Sequence, residues 1–150
     1  MSAQIELLTE CDVPEGARAW IETAMKEAAE RLGAFSCTVL LTTEDEIQRL
    51  NREFRGIDQV TDVLSFPSRD ADGPPEPDGF AGDIAVCVTR AAEQAEALAQ
   101  PLEQELAFLC VHGALHLNGW DHEQETEAEE MYAMQREIMR DVLARFGDGT

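Results

Sequence analysis

The segment that most constrains this chain is residues 106–117, LAFLCVHGALHL. Apart from His112 and His116, every residue in it is apolar or glycine. At 3.6 residues per turn its apolar side chains run nearly all the way round a helix, so the helix must be covered on every side rather than along one stripe. Such a helix needs other layers to enclose it. The chain has 150 residues to supply them, enough for one domain with a core that needs no staples.

The rest of the sequence reads as those layers. Residues 4–9 alternate as a short strand, and a helix spans 15–31, with Pro14 where it can start and Gly33 closing it. Residues 35–42, FSCTVLLT, fit a buried strand. Thr43 with Glu46 forms a capping-box pattern for a helix to about Phe54, which Gly56 ends. Residues 62–66 and 82–88 are the third and fourth strands. They flank a Pro- and Gly-rich stretch, 68–79, expected to be a mobile surface loop. Thr89 is expected to cap a helix to Gln100, Pro101 to open the apolar helix, and 125–146 to form a last, acidic one. The order β-α-β-α-β-β-α-α-α predicts a single domain over 1–150 of α/β (α+β) class. A small mixed four-stranded sheet is surrounded by about five helices. Strands 1 and 2 run parallel, and the two strands flanking the Pro-rich loop are antiparallel.

Charge narrows the function. Asp and Glu number 31 against 11 Lys and Arg, a net charge of −20, which excludes a globally basic nucleic-acid binder. No apolar run reaches the ~20 residues of a membrane span, and the N-terminus has no secretory pattern. Cys11, Cys37, Cys87 and Cys110 form no CxxC pair and read as reduced, mostly buried thiols of a cytoplasmic protein.

All three histidines fall between His112 and His122. His112 and His116, four apart, share one helix face. Two imidazoles in an apolar setting need partners, and one divalent metal serves both. Gly119 ends the helix and lets the chain turn back, so that His122 can supply a third nitrogen. Three protein ligands leave a fourth position open, as in catalytic zinc sites. Zn, Ni, Cu and Fe all suit such ligands. The plain alternative is three hydrogen-bonded histidines without a metal. Asp121 reads equally as a partner for a ligand N–H or as a solvated turn residue.

The spacing coincides with the zinc-protease pattern HExxHxxGxxH, but Gly113 stands where that pattern has its glutamate base, and glycine takes no proton. A second cluster is basic: Arg49, Arg52 and Arg55 lie within seven positions and run into TDVLSFP. The helix dipole accounts for Arg49 and Arg52. Arg55, past the last turn, reads either as one more helix-end cation or as an anion-binding fork in a cleft. The acidic stretch 121–130 matches no calcium loop and reads as the solvated start of a helix. Trp120, Met131, Met134 and Ile138 read as core.

Three motifs carry a resemblance. HGALHLNGWDH resembles the HGxLHLxGyDH signature of the YbeY family of bacterial rRNA maturation factors, metal-dependent endoribonucleases. NREFRGIDQVTDVLSFP is similar to that family's second signature, and AGDIAVCV to its GDI strand. The likeness spans nearly the whole chain. It implies one Zn2+ held by His112, His116 and His122, and Arg55 as a catalytic residue in the cleft beside it. It also implies endonucleolytic trimming of rRNA, chiefly at the 16S 3′ end, and ribosome quality control. The implied partners are rRNA and the small ribosomal subunit, with a ribosomal protein as a further one, and neither membrane nor DNA. Residues 56–60, GIDQV, lack the lysines and proline that members often carry there, so RNA-facing charge is thin. The competing readings are a non-catalytic assembly factor with a structural metal and a metalloprotease-like hydrolase.

Overall fold

The computed structural model describes residues 3–68, 79–120 and 124–147. Among them the chain forms β1 (Ala3–Thr9), α1 (Ala17–Leu32), β2 (Phe35–Thr42), α2 (Glu44–Arg55), β3 (Val63–Pro67) and β4 (Phe80–Cys87). Three helices follow: α3 (Val88–Ala97), α4 (Leu102–Leu117) and α5 (Glu125–Gly147). The four strands make one mixed sheet in the order β1-β2-β4-β3. β1 and β2 are parallel, as are β2 and β4, while β3 runs antiparallel to β4. The expected class, element order and strand directions therefore hold. Most of residues 68–79, expected as a loop, lie outside the described residues.

Alternation along the strands divides the apolar side chains between two faces. Cys37, Val39, Leu41, Ile84 and Val86 face the main core, where α1, α4 and α5 pack. Leu64, Ala85 and Cys87 face the other side, against Ile47 of α2. α4 lies at the centre of the main layer, between the sheet and helices α1 and α5. Leu106, Ala107, Cys110, Val111, Ala114 and Leu115 are each fully buried, as a helix apolar all round demands. Trp120, Met131, Met134 and Ile138 all belong to this core or pack on it.

Local signals mostly place the ends. Thr43 caps α2 by accepting from the Glu46 N–H at 3.3 Å, and Gly56 ends it with φ 73°. Half of the expected capping box is made; the Glu46 carboxylate turns to Arg49 instead. Two boundaries differ. Helix α1 starts at Ala17, because residues 14–16 form a lead-in turn in which the Ala17 N–H bonds the Pro14 carbonyl. Thr89 does not cap α3. The helix begins at Val88, since β4 passes into it with no loop and Cys87 takes the cap position with extended backbone. It also ends at Ala97, three residues early. Ala99 (φ 54°) and Gln100 return their N–H groups to Glu96 and Ala95, closing the last carbonyls.

Candidate active site

The two helical histidines meet as their spacing predicts. Their ring centroids are 4.8 Å apart, and Nε2 of His116 lies 3.2 Å from Nε2 of His112. Both rings are half-buried. A tetrahedral ion about 2.0–2.1 Å from each of two nitrogens would hold them about 3.3–3.4 Å apart, so the pair already has ligand spacing. Helix α4 then stops as foreseen. Gly119 adopts φ 94°, and the N–H groups of Gly119 and Trp120 return to the carbonyls of His116 and Leu115. The next residues, which include His122 and Asp121, lie outside the described residues. Among the described residues no third His, Cys, Asp or Glu joins the pair.

Behind His112 stands a residue the sequence reading passed over. Gln135 of α5 is 1% exposed, and its side-chain Oε1 lies 3.3 Å from His112 Nδ1. Its Nε2 donates to the Phe108 carbonyl at 3.3 Å. A signal was present. Met131, Gln135, Ile138 and Val142 fall at i, i+4, i+7 and i+11, the core-facing positions of an amphipathic helix, and one of the four is polar. Tyr132, 44% exposed, lies nearly parallel to the His112 ring, with centroids 6.4 Å apart.

Gly113 explains its own departure from the protease pattern. A Cβ there would come within 2.8 Å of Ile84 Cγ2, so this face of α4 is pressed onto β4. The position that would carry a glutamate base has no room for any side chain. The Gly113 carbonyl also accepts from Ser65 Oγ at 3.4 Å, tying β3 to α4 beside His112.

Arg55 is brought to the same strand. Exposed at the end of α2, it donates to the Ser65 carbonyl and lies over the Phe66 ring at 5.6 Å. The chain between α2 and β3 is held by buried Asn51, whose Nδ2 donates to the Gln59 carbonyl at 3.0 Å. The neighbouring arginines are otherwise engaged. Arg49 bridges Glu46 and Glu53 at 2.5 and 2.7 Å, and Arg52 pairs with Asp58 at 3.4 Å. Among the described residues no carboxylate pairs with Arg55.

Cys37 and Cys110 offer neither nucleophile nor ligand. Burial pushes Cys37 up to about 12 and Cys110 higher still, so both stay protonated thiols. All four cysteines are free.

The site is thus a two-histidine face on a buried helix of a small α/β protein, beside a strand against which the exposed Arg55 of α2 rests. The comparisons identify the family. A family model described as Endoribonuclease YbeY matches residues 4–143. An Endoribonuclease YbeY of Halalkalibacterium halodurans is 40% identical over 151 residues, covering 93% of this chain and 95% of that protein. One from Hydrogenovibrio crunogenus is 39% identical, covering 91% and 88%. The solution structure of TM1509 from Thermotoga maritima superposes with a TM-score of 0.70 at 31% identity, over 97% of this chain and 93% of that one. The chain belongs to the YbeY endoribonuclease family.

Proposed function

We propose that this endoribonuclease depends on one zinc ion, held by His112, His116 and His122, and acts in the cytoplasm on rRNA during maturation of the small-subunit 16S 3′ end and in ribosome quality control. The observation that carries the metal reading is the 3.2 Å separation of two half-buried Nε2 atoms on one helix face. Bound there, zinc would supply a Lewis acid to polarise a phosphoryl oxygen or to activate a water.

The chain's own groups supply the rest. The guanidinium of Arg55 has five donors and stays charged, so while one N–H holds the Ser65 carbonyl the others remain to bind a phosphate oxygen. As negative charge builds on the phosphoryl group, that fixed cation stabilises it more than it stabilises the ground state. Gln135 and the β3–α4 contact hold the histidine face steady. The absence of a side chain at Gly113 leaves no general base at that position, which separates this chemistry from a metalloprotease. Buried, protonated thiols suit a reducing compartment.

The test is single-turnover cleavage of a structured rRNA fragment at saturating enzyme, with metal content measured for each variant. Wild type should carry about one zinc per chain, and His116→Ala should lose both zinc and cleavage. Arg55→Ala should keep fold and zinc but lose on the order of 10²-fold in rate. Wild-type rates from Arg55→Ala would remove its catalytic role. A zinc-bearing wild type that cleaves no rRNA would turn the reading to an assembly factor whose metal is structural.

A further inference from the structure

Gln135 has two sides, and each fixes the other. A backbone carbonyl can only accept, so the amide edge facing Phe108 must be the NH2 group. Its other edge, the carbonyl oxygen Oε1, then faces His112 Nδ1 at 3.3 Å. An amide oxygen also only accepts, so Nδ1 must carry the proton. In a neutral imidazole the lone pair is then left on Nε2, the atom that faces His116. The side chain is 1% exposed and lies between α5 and α4, so neither water nor rotation relaxes the constraint. Nothing in the packing of α5 calls for a polar group here. Its neighbours along the same stripe are Met131, Ile138 and Val142, each fully buried, and a methionine of similar length would fill the position.

We propose that Gln135 is a positioning residue for the histidine pair: its buried amide locks His112 as the Nδ1–H tautomer and so presents the Nε2 lone pair toward the space shared with His116. The assignment rests on the reading of His112 and His116 as metal ligands. In the metal-free chain His116 Nε2–H then donates to His112 Nε2. That proton must leave Nε2 before His116 ligates, whereas His112 is ready without rearrangement. Partners of this kind, behind a metal-binding histidine, are worth about 10–100-fold in metal affinity.

The experiment compares wild type, Gln135→Met and Gln135→Glu, each as the folded, metal-free full chain. Two readouts are used: histidine 15N shifts, which report the tautomer, and zinc affinity by competition with a chromophoric chelator. Wild-type His112 should be Nδ1–H. Gln135→Met should lose that preference and bind zinc about 10–100-fold more weakly. Gln135→Glu keeps an acceptor for Nδ1 but loses the donor to Phe108, so it should keep the tautomer and bind zinc within a few-fold of wild type, even with a lower melting temperature. A residue that merely packs the helices would move stability in both variants and tautomer in neither. The proposal is overturned if wild-type His112 is the Nε2–H tautomer, if Gln135→Met binds zinc within twofold of wild type, or if both variants lose affinity equally. The wild-type tautomer decides the matter even if Gln135→Met fails to fold. Failure of wild type to bind zinc would instead overturn the metal reading itself, and with it this assignment. Failure of Gln135 alone leaves wild-type zinc binding intact.

Discussion

Replacing Gly113 by alanine should destabilise the protein, although glycine inside a helix is ordinarily a weakness. Relative to glycine, alanine favours a helix interior by about 1 kcal/mol. Against that, the new Cβ would lie 2.8, 3.0 and 3.1 Å from three carbons of Ile84, where carbon pairs sit best at about 3.5–4.0 Å. Something must move by several tenths of an ångström, and neither side yields easily. Ile84 is 1% exposed, branched at Cβ, and on a strand paired on both flanks, with Val39 and with Ser65. Helix α4 is backed by α1 and α5. Overpacking of this kind costs about 1–3 kcal/mol, and two rigid partners put it in the upper half of that range. The net expectation is a loss of about 1–2 kcal/mol. The second arm of the test is Ile84→Ala, which costs about 2–5 kcal/mol alone but clears the space. In that background Gly113→Ala should be neutral or stabilising by up to about 1 kcal/mol, so the cycle shows a coupling of about 1–3 kcal/mol. Urea unfolding followed by circular dichroism, with the slope checked for constancy, measures all four proteins. If Gly113→Ala stabilises the wild-type background, or changes stability equally in both, the close approach of α4 to β4 is wrong.

Further outcomes follow from other sites. Gly82→Ala should cost at least about 3 kcal/mol, because it adds a Cβ at φ 139° against the Phe66 carbonyl and within 2.9 Å of Leu117 Cδ2; failure to accumulate as soluble protein, or a steep fall in urea midpoint, is the readout. Burial raises the pKa of Glu105, partly offset by the hydrogen bond from Gln100. The folded state therefore binds its proton more tightly than the unfolded state, and stability falls as pH rises from the ordinary glutamate range through the raised value. Glu105→Gln should flatten that fall and stabilise the protein at neutral pH; an unchanged pH profile of urea midpoints would refute it. Arg55→Lys should recover only part of the rate lost in Arg55→Ala, since a point charge lacks the guanidinium fork, and full recovery in single-turnover cleavage would show that charge alone suffices.

Much of this was legible because periodicity and burial are strongly coupled in a small mixed sheet. Residues 106–117 are apolar on all sides, and only a helix enclosed between a sheet and other helices satisfies that, so the central place of α4 follows from one segment. The HxxxH spacing fixes the 3.2 Å approach of two nitrogens because both lie on the same rigid helix. What escaped lies between elements far apart in sequence. Gln135 reaches His112 across 23 positions, from a helix whose own pattern shows only one polar interruption. The role of Gly113 was read as a missing base, whereas its physical cause is the Ile84 side chain on another strand. Thr89 has the chemistry of a helix cap, yet with no loop after β4 the helix begins one residue before it. Local propensity yields to tertiary connection there.

The net charge of −20 and an RNA substrate are reconciled by how the arginines are spent. Arg49 is held between two glutamates and Arg52 by Asp58, all on the surface of α2 or just beyond it. Their fields largely cancel at a distance, so they add little long-range attraction for a polyanion. Arg55 differs because its partners are a neutral carbonyl and an aromatic face, and among the described residues no carboxylate compensates its charge. Among the described residues the basic cluster of the sequence thus leaves Arg55 of α2 as the unpaired cation, held against the strand that is tied to the histidine helix through Ser65 and Gly113. If Arg55 has the role proposed for it, such a site would bind naked RNA weakly but stabilise charge where it develops, which raises a rate rather than an affinity. Few phosphates are neutralised, so cleavage at saturating enzyme should depend on salt far less than it does for a basic nuclease groove. On that reading, selection of the RNA would fall to whatever brings the scissile strand to the site.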